Sequence, residues 1–518
     1  MPQKNRPGLL STIFLSIGTM IGSGWLFAAY YSSQVAGAAS ILSWIIGALI
    51  ILIMAVLLSE IAIKYPINGL FTRLLSLSHN QHFGFVTGIS NWLLGLILVP
   101  SEAMASTQYV ATVNPMWTPY LFNHGEITSL GMGLTTLFML FYLLINYWGI
   151  HFLARVNNAI TWIKIIVPAS VAIIFIITAF DTKNFTAYQN SFMPYHFNSV
   201  LTAIVSSGIF YSFFGFQAAV SFCAELDKPK RNIPITLVSS VVIVLIIYLL
   251  LQVAFIGALP TEMLAQGWTN LNFESPLAQL AAILGLNFIV IILYTDSVIS
   301  PTGTGLLYLG IASRQLNEMV KHKQMPAFFG TRDLKVLFSR RALILSFICS
   351  LILIFFFRNW QLIAGLTTTF IIISCIALPI TYSKLLQSTE GFPVRILPYS
   401  QVFSCLTFII LSYFLLLCGI KNLTVAFLLH FVFFISYACS IHPHNKTLSI
   451  LQALASAWTI FAYMLFVMLY SLVGTWVQHD FSYYIIYIIA SIIFYILLVN
   501  QKSIPHTTKK GPTSGPSI

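Results

Sequence analysis

Charge is what this chain has least of. Only 7% of its 518 residues are Asp, Glu, Lys or Arg, where an ordinary soluble domain carries about 25%. So few charged side chains cannot cover a water-exposed surface, which excludes a soluble globular protein. The 6 cysteines (Cys223, Cys349, Cys375, Cys405, Cys418 and Cys439) lie in or at the ends of apolar runs with no Cys-x-x-Cys spacing. That excludes a disulfide framework and a thiolate metal site. His79, His82, His442 and His444 read as loop residues at no metal-ligand spacing, so no metal is expected. A phosphate-binding glycine loop and a Ser/His/Asp arrangement are also missing, so neither an enzyme nor a bound cofactor is expected. The net charge of +12 does not indicate nucleic acid, because the basic residues form no patch and sit in alternate loops.

Apolar residues fill the chain instead, at 58% of the sequence with a mean hydropathy of +0.88. Runs of about 20 residues, long enough for a hydrocarbon core of about 30 Å, recur from residue 9 to residue 500. The expected fold class is an all-α polytopic membrane protein with 14 spans, or 12 on the alternative count. Lys183, Arg358 and Lys421 lie in one set of loops and Lys164 within a span, and the remaining basic residues lie on the other face. By the positive-inside rule that face is cytoplasmic and carries both termini. The connection from Arg314 to Arg341, with Lys321, Lys323, Arg332, Lys335 and Arg340, reads as the longest basic loop and directs the eighth span inward. The first run follows Lys4 and Arg6 but exceeds a signal h-region of about 7 to 15 residues, so it reads as a retained helix. Residues 501–518 are rich in Lys, Pro, Ser, Thr and Gly and read as a disordered cytoplasmic tail.

Two of the apolar runs are interrupted. Gly22-Ser23-Gly24 breaks the first, and Ser212-Phe213-Phe214-Gly215 breaks another about 190 residues later. A bilayer core offers no water to unpaired amides and carbonyls, so a broken span must expose its backbone to a protected cavity. Corresponding breaks in two halves of a membrane protein point to the substrate site of a secondary transporter. The restarting half-helix at Trp25 presents amides with a positive charge of about half a unit, suited to a carboxylate. Phe210, Tyr211, Ser212, Phe213 and Phe214 add backbone groups, a hydroxyl and aromatic rings. The competing explanation is glycine packing at a helix contact, which is common in membranes.

These residues, with the loop Ala224-Glu225-Leu226-Asp227-Lys228-Pro229-Lys230-Arg231-Asn232-Ile233-Pro234, and Ser313-Arg314 followed by Met325-Pro326, resemble the amino acid–polyamine–organocation (APC) permease superfamily over about residues 9 to 440. Within it, Ile21 to Tyr31 and Ser300-Pro301-Thr302-Gly303-Thr304-Gly305 are similar to the aspartate–proton symporter type. The resemblance implies a LeuT-like five-plus-five inverted repeat, residues 9–179 and 199–383, followed by extra helices over 401–500. It implies a mid-membrane amino acid site on Thr19, Gly22, Ser23, Gly24 and Trp25 with Phe210, Tyr211, Ser212, Phe213, Phe214 and Gly215. A bacterial inner membrane location follows, and the C-terminal helices are free for lipid packing or a homodimer contact. Many relatives carry Glu where this chain has Gln217. The departure weakens a cationic substrate and is compatible with an acidic or neutral one.

Ionisable groups inside a span cost about 2.5 to 3.5 kcal/mol on insertion scales, so each one kept is a functional candidate. Lys164, Asp296 and Glu102 are the three proton-coupling candidates. The resemblance places a lysine such as Lys164 beside the unwound first helix, where sodium sits in sodium-coupled relatives; exchanging a proton and acting as a fixed cation are both open to it. Asp296 and Ser300 share a helix face, and Glu102 follows Pro100-Ser101 and needs a partner. Glu60 and Lys64 stand four apart and read as a surface ion pair. The function expected is import of an amino acid with protons by alternating access. An exchanger on the same scaffold is the alternative, and a non-transporting receptor or subunit the second.

Overall fold

The computed structural model describes residues 8–501 except 68, 124, 149, 331–338, 388–391, 393–395, 397–398, 442–445 and 478–480. The helices that build the bundle run in chain order as α1 (Leu9–Met20), α2 (Gly24–Ala36), α3 (Ser40–Lys64), α4 (Gln81–Val113), α5 (Ser129–Trp148), α6 (Ile150–Ala179), α7 (His196–Ser206), the short α8 (Ile209–Phe213), α9 (Pro229–Ala258), α10 (Asn287–Lys321), α11 (Arg340–Phe356), α12 (Trp360–Leu386), α13 (Ser400–Leu417), α14 (Gly419–Ile441), α15 (Lys446–Gly474) and α16 (Phe481–Asn500). One short hairpin, Phe122–Asn123 paired antiparallel with Glu126–Ile127, is the sheet seen among the described residues. In lipid a helix satisfies its own backbone, which is why runs of this length and hydropathy settle as they do.

Eleven helices among the described residues are long and apolar enough to cross a bilayer, or twelve when the pair His196–Ser206 and Ile209–Ser221, bent by 50°, is one span. The expected 14 is not reached by this measure. Helix α11 has only 17 residues, and the first span is split, its 12-residue α1 too short alone and its second half counted with α3 in one run, Gly24–Lys64. The membrane-spanning, all-helical class itself stands.

Burial separates centre from rim. The most apolar window of α4 is wholly buried and that of α12 is 94% buried, against 28% for α5 and 33% for α16. Thus α4 and α12 form the inside of the bundle, while α5 and α16 present leucine and isoleucine faces to lipid. Small residues permit the close contacts: a Cβ on Gly305 would lie 2.4 Å from the Tyr142 ring. Hydroxyl pairs such as Thr12 with Thr236, 2.9 Å apart, link helices at about 0.6 kcal/mol each.

Three readings are corrected. Glu60 and Lys64 form no surface pair: Glu60 is fully buried and accepts from the Ile396 amide at 2.7 Å and from the Tyr382 hydroxyl. The Lys64 ammonium instead stands 5.4 and 5.3 Å from the Tyr65 and Phe392 ring centroids. The fold thus brings a donor from beyond α12 to Glu60, a long-range pairing that spacing of four could not reveal. Arg314 and Lys321 are not in a loop, because α10 continues to Lys321 with Leu316 and Met319 buried along one side. His82 is not in a loop but in the first turn of α4, whereas His79 keeps its place in the connection before α4, buried between the Ser78 hydroxyl at 2.7 Å and the Leu498 carbonyl at 2.8 Å. His442, His444 and the tail from residue 502 lie outside the described residues.

Candidate functional site

The first break falls where the glycines place it. Helix α1 stops at Met20, Ile21 is extended, and α2 restarts at Gly24 with Ser23 as its N-cap. Ser23 is a junction. Its amide donates to Glu102 Oε2 at 2.7 Å, its hydroxyl lies 2.8 Å from the Tyr211 hydroxyl, and the Trp360 indole donates to that hydroxyl oxygen at 3.0 Å. Tyr211 in turn donates to Glu102 Oε1 at 2.6 Å and meets the Ser101 hydroxyl. The carboxylate presses on the break itself: a Cβ on Gly22 would lie 2.5 Å from Glu102 Oε1.

The second break differs from the sequence reading. It has two interruptions, one at Ser207-Gly208 and one at Phe214-Gly215, around the short helix α8. Gly208 has φ 83° and Gly215 φ 117°, left-handed conformations that glycine adopts without Cβ strain. The run Ser206-Ser207-Gly208 was the available signal for the first of these. Gly215 also sits against the end of α1, where its Cβ would lie 2.8 Å from the Thr19 carbonyl carbon and 2.9 Å from the Met20 nitrogen. Thr19 Oγ1 donates to the Gly215 carbonyl at 3.1 Å. The two breaks therefore touch through backbone.

Of the ring residues, Tyr211 faces the first break, while Phe213 turns to Trp44 and Tyr248 with centroids 5.8 and 5.9 Å away. Phe210 packs on Phe414 at 5.5 Å. Phe214 stacks on Tyr308 at 6.2 Å. The Ser212 hydroxyl bonds back to the Gly208 carbonyl at 2.7 Å, and Trp25 is buried in the first turn of α2.

The exposed carbonyls of both breaks are held by tyrosines the sequence reading passed over. Tyr308 donates to the Thr19 and Phe214 carbonyls, each at 3.2 Å, and Tyr248 to the Met20 carbonyl at 3.2 Å. A signal existed for Tyr308. Asp296, Ser300, Thr304 and Tyr308 recur every four residues, which lines them along one side of α10. Ser300 donates to Asp296 Oδ2 at 2.8 Å, and Asp296 Oδ1 is buried with no hydrogen-bond partner among the described residues. Lys164 donates to the Gly18 carbonyl at 2.8 Å and to Thr304 Oγ1 at 2.5 Å, with Glu102 and Asp296 both within electrostatic reach. Glu102 and Lys164 thus both touch the end of α1 and its break, and Asp296 lies within electrostatic reach of Lys164.

Above the breaks, rings close the path. Trp360 stacks on Phe27 at 4.8 Å and on Tyr31 at 5.8 Å, and Tyr211 meets it edge-on at 5.3 Å. Trp360→Phe keeps the stack and loses one hydrogen bond worth about 1 kcal/mol, so transport should stay within about fivefold. Trp360→Ala loses both, and initial uptake rates should fall tenfold or more. On the other side, below Thr19, Phe214 and Tyr308, a cavity of about 470 Å³ extends to Arg73, Arg314 and Lys321. The His322 imidazole nearby is held below its ordinary range by burial and, next, by the Arg73 charge.

Comparison with known proteins agrees with this geometry. The family model "Amino acid permease" matches residues 8–442. The glutamate/serine transporter AimA of Bacillus subtilis (strain 168) is 37% identical over 76% of this chain and 73% of its own length. The aspartate-proton symporter of the same organism is 29% identical over 90% of each chain. Among solved structures, a mutant manganese transporter of Eremococcus coleocola aligns with a TM-score of 0.52 at 11% identity, covering 89% of this chain and 94% of that one, a likeness of fold alone. Two broken helices meeting around a polar centre inside an apolar bundle thus find their place: the chain belongs to the amino acid permease family and is an integral membrane amino acid transporter of the LeuT-like fold, not an enzyme.

Proposed function

We propose that the protein imports an acidic or neutral amino acid, aspartate first among them, together with protons by alternating access. The observation that carries this reading is the Glu102 carboxylate seated on the Ser23 amide. A break that holds one carboxylate in this way is suited to hold another, and protonating Glu102 would release the amide to the ligand. The ligand's α-carboxylate would then meet Ser23, Gly24 and Trp25. Its ammonium would replace the tyrosine hydroxyls at carbonyls such as Thr19, with Phe210 and Ser212 nearby. Tyr211 and Phe214 would close over it. Lys164 and Asp296 complete the proton path around the same turn. The names of the two Bacillus relatives, which speak of glutamate, serine and aspartate, support the substrate class.

Residues 9–179 and 199–383 serve in this reading as the inverted repeats, with 401–500 as added helices and both termini in the cytoplasm of a bacterial cell. Aspartate carries one negative charge, so entry with one proton uses only the pH gradient. With two protons the voltage also contributes, at about 2.3 kcal/mol per charge per 100 mV. Uptake of a radiolabelled amino acid panel into proteoliposomes under imposed pH and voltage gradients tests the reading. Aspartate or glutamate accumulation driven by an inward proton gradient is the expected result. Uptake that requires internal amino acid and ignores the gradient would make the protein an exchanger instead.

A further inference from the structure

The connection from α9 to α10 runs past the ring closure, and it carries a carboxylate that no step above uses. Along Leu271-Asn272-Phe273-Glu274-Ser275, residues Leu271, Phe273 and Ser275 are buried. The first two of these are seated on α2. The Tyr30 hydroxyl donates to the Leu271 carbonyl at 3.0 Å, Gln34 donates to the same carbonyl at 2.7 Å, and the Phe273 amide donates to the Tyr30 oxygen at 3.2 Å. Glu274 and Ser275 are tied to α4, where Gln108 donates to the Glu274 carbonyl and the Thr112 hydroxyl to Ser275 Oγ, each at 2.8 Å. The segment is therefore a strap that joins α2 to α4 beside Tyr31, whose ring stacks on Trp360. These two helices cannot part without freeing one end of it.

The backbone of Glu274 is fixed, but its side chain is not paired. Its amide and that of Ser275 donate to Gln279 Oε1 at 2.8 and 3.1 Å, while its half-buried carboxylate has no hydrogen bond or ion pair among the described residues. The titratable groups brought to this place are Tyr30 and Tyr31 from α2, both within electrostatic reach of the carboxylate, with Tyr109 from α4 and Tyr294 from α10 behind Tyr31. No lysine, arginine or histidine among the described residues offsets the charge.

Burying a carboxylate without a partner disfavours its ionised form, and burial holds the Glu274 carboxyl above its ordinary range. With the strap lifted, the same side chain faces water and ionises at about 4.3. The seated strap thus binds the proton more tightly. By linkage its advantage is full below the ordinary carboxylate range and is lost as pH rises through the raised value.

We propose that Glu274 is a proton-binding residue of the outer closure, carrying a proton while the strap is seated between α2 and α4 and giving it up when the strap lifts. The inference rests on the reading above for orientation, which makes this the outer face, and for proton-driven uptake, which gives the proton its use. An acid outer solution then favours closure of the strap behind an arriving amino acid.

Backbone hydrogen exchange of the purified full chain tests it without any need for transport, read by mass spectrometry on the peptide holding residues 271–275 and corrected for the intrinsic pH dependence of exchange. In the wild type, protection at about pH 5 should exceed that at about pH 8 by about threefold or more. Glu274→Gln, which keeps the shape and cannot ionise, should hold the high value at both. Glu262→Gln, at an exposed carboxylate of the same connection, should leave the wild-type response in place. Wild-type protection that ignores pH overturns the proposal, as does a response that persists in Glu274→Gln or disappears in Glu262→Gln. If uptake proves independent of the proton gradient while strap protection still follows Glu274, the transport reading fails and the proton site stands.

Discussion

Gly215→Ala should lower amino acid uptake at least a hundredfold and reduce the thermal unfolding midpoint of the purified protein. Two independent effects act at this position. Its φ of 117° costs a residue with a Cβ about 1 to 3 kcal/mol. The new methyl would also fall 2.8 Å from the Thr19 carbonyl carbon, and backbone cannot swing aside as a long side chain does. Relief requires the end of α1 and the second break to separate, which pulls Thr19 from the Gly215 carbonyl and Tyr308 from its two acceptors. Gly133→Ala, where nothing lies within 4 Å of the added Cβ, is the matched control and should change neither measurement. Wild-type uptake by Gly215→Ala would mean that the working protein does not need the backbone contact between its breaks.

The second large effect is expected at Lys164. Its ammonium is the buried cation facing Glu102 and Asp296, and it also holds the Gly18 carbonyl. Removing one member of a buried charge group typically costs about 3 to 5 kcal/mol, or roughly two to three and a half orders of magnitude in an equilibrium. Lys164→Ala should therefore abolish uptake driven by a pH gradient. Glu102→Gln is the finer probe: it keeps the shape of the side chain and removes the charge, so counterflow of amino acid should survive while pH-driven accumulation is lost. Accumulation that still follows the pH gradient in both variants would remove these residues from the proton path.

The sequence carried the membrane class and the first break in full, because both are local: hydrophobic length fixes a span, and Gly22-Ser23-Gly24 marks the place where a helix cannot continue. It also carried the charged candidates, since Lys164, Asp296 and Glu102 stand out against apolar neighbours. What it could not carry was partnership. That Glu102 would sit on the Ser23 amide depends on the rotation of α4 against α2, and the direction of Phe213 toward Trp44 depends on a second interruption at Gly208. Glu60 failed for the same reason, its donor at Ile396 being brought in by the packing of segments far apart in sequence. Tyr308 was within reach, as the last member of a stripe with a period of four.

The Ser23 junction also bears on what the carrier does without cargo. Its three hydrogen bonds reach α4, α8 and α12 at once, so no swing of α1 and α2 relative to these helices leaves them all intact. An empty carrier that changes sides must break them with nothing to take their place, whereas in the proposed reading a bound amino acid would replace them as they are lost. In the proposed reading Ser23 thus acts as a brake on futile cycling, and Ser23→Ala, which loses the two hydroxyl bonds and keeps the amide bond to Glu102, should loosen that brake and dissipate a proton gradient faster than it moves amino acid.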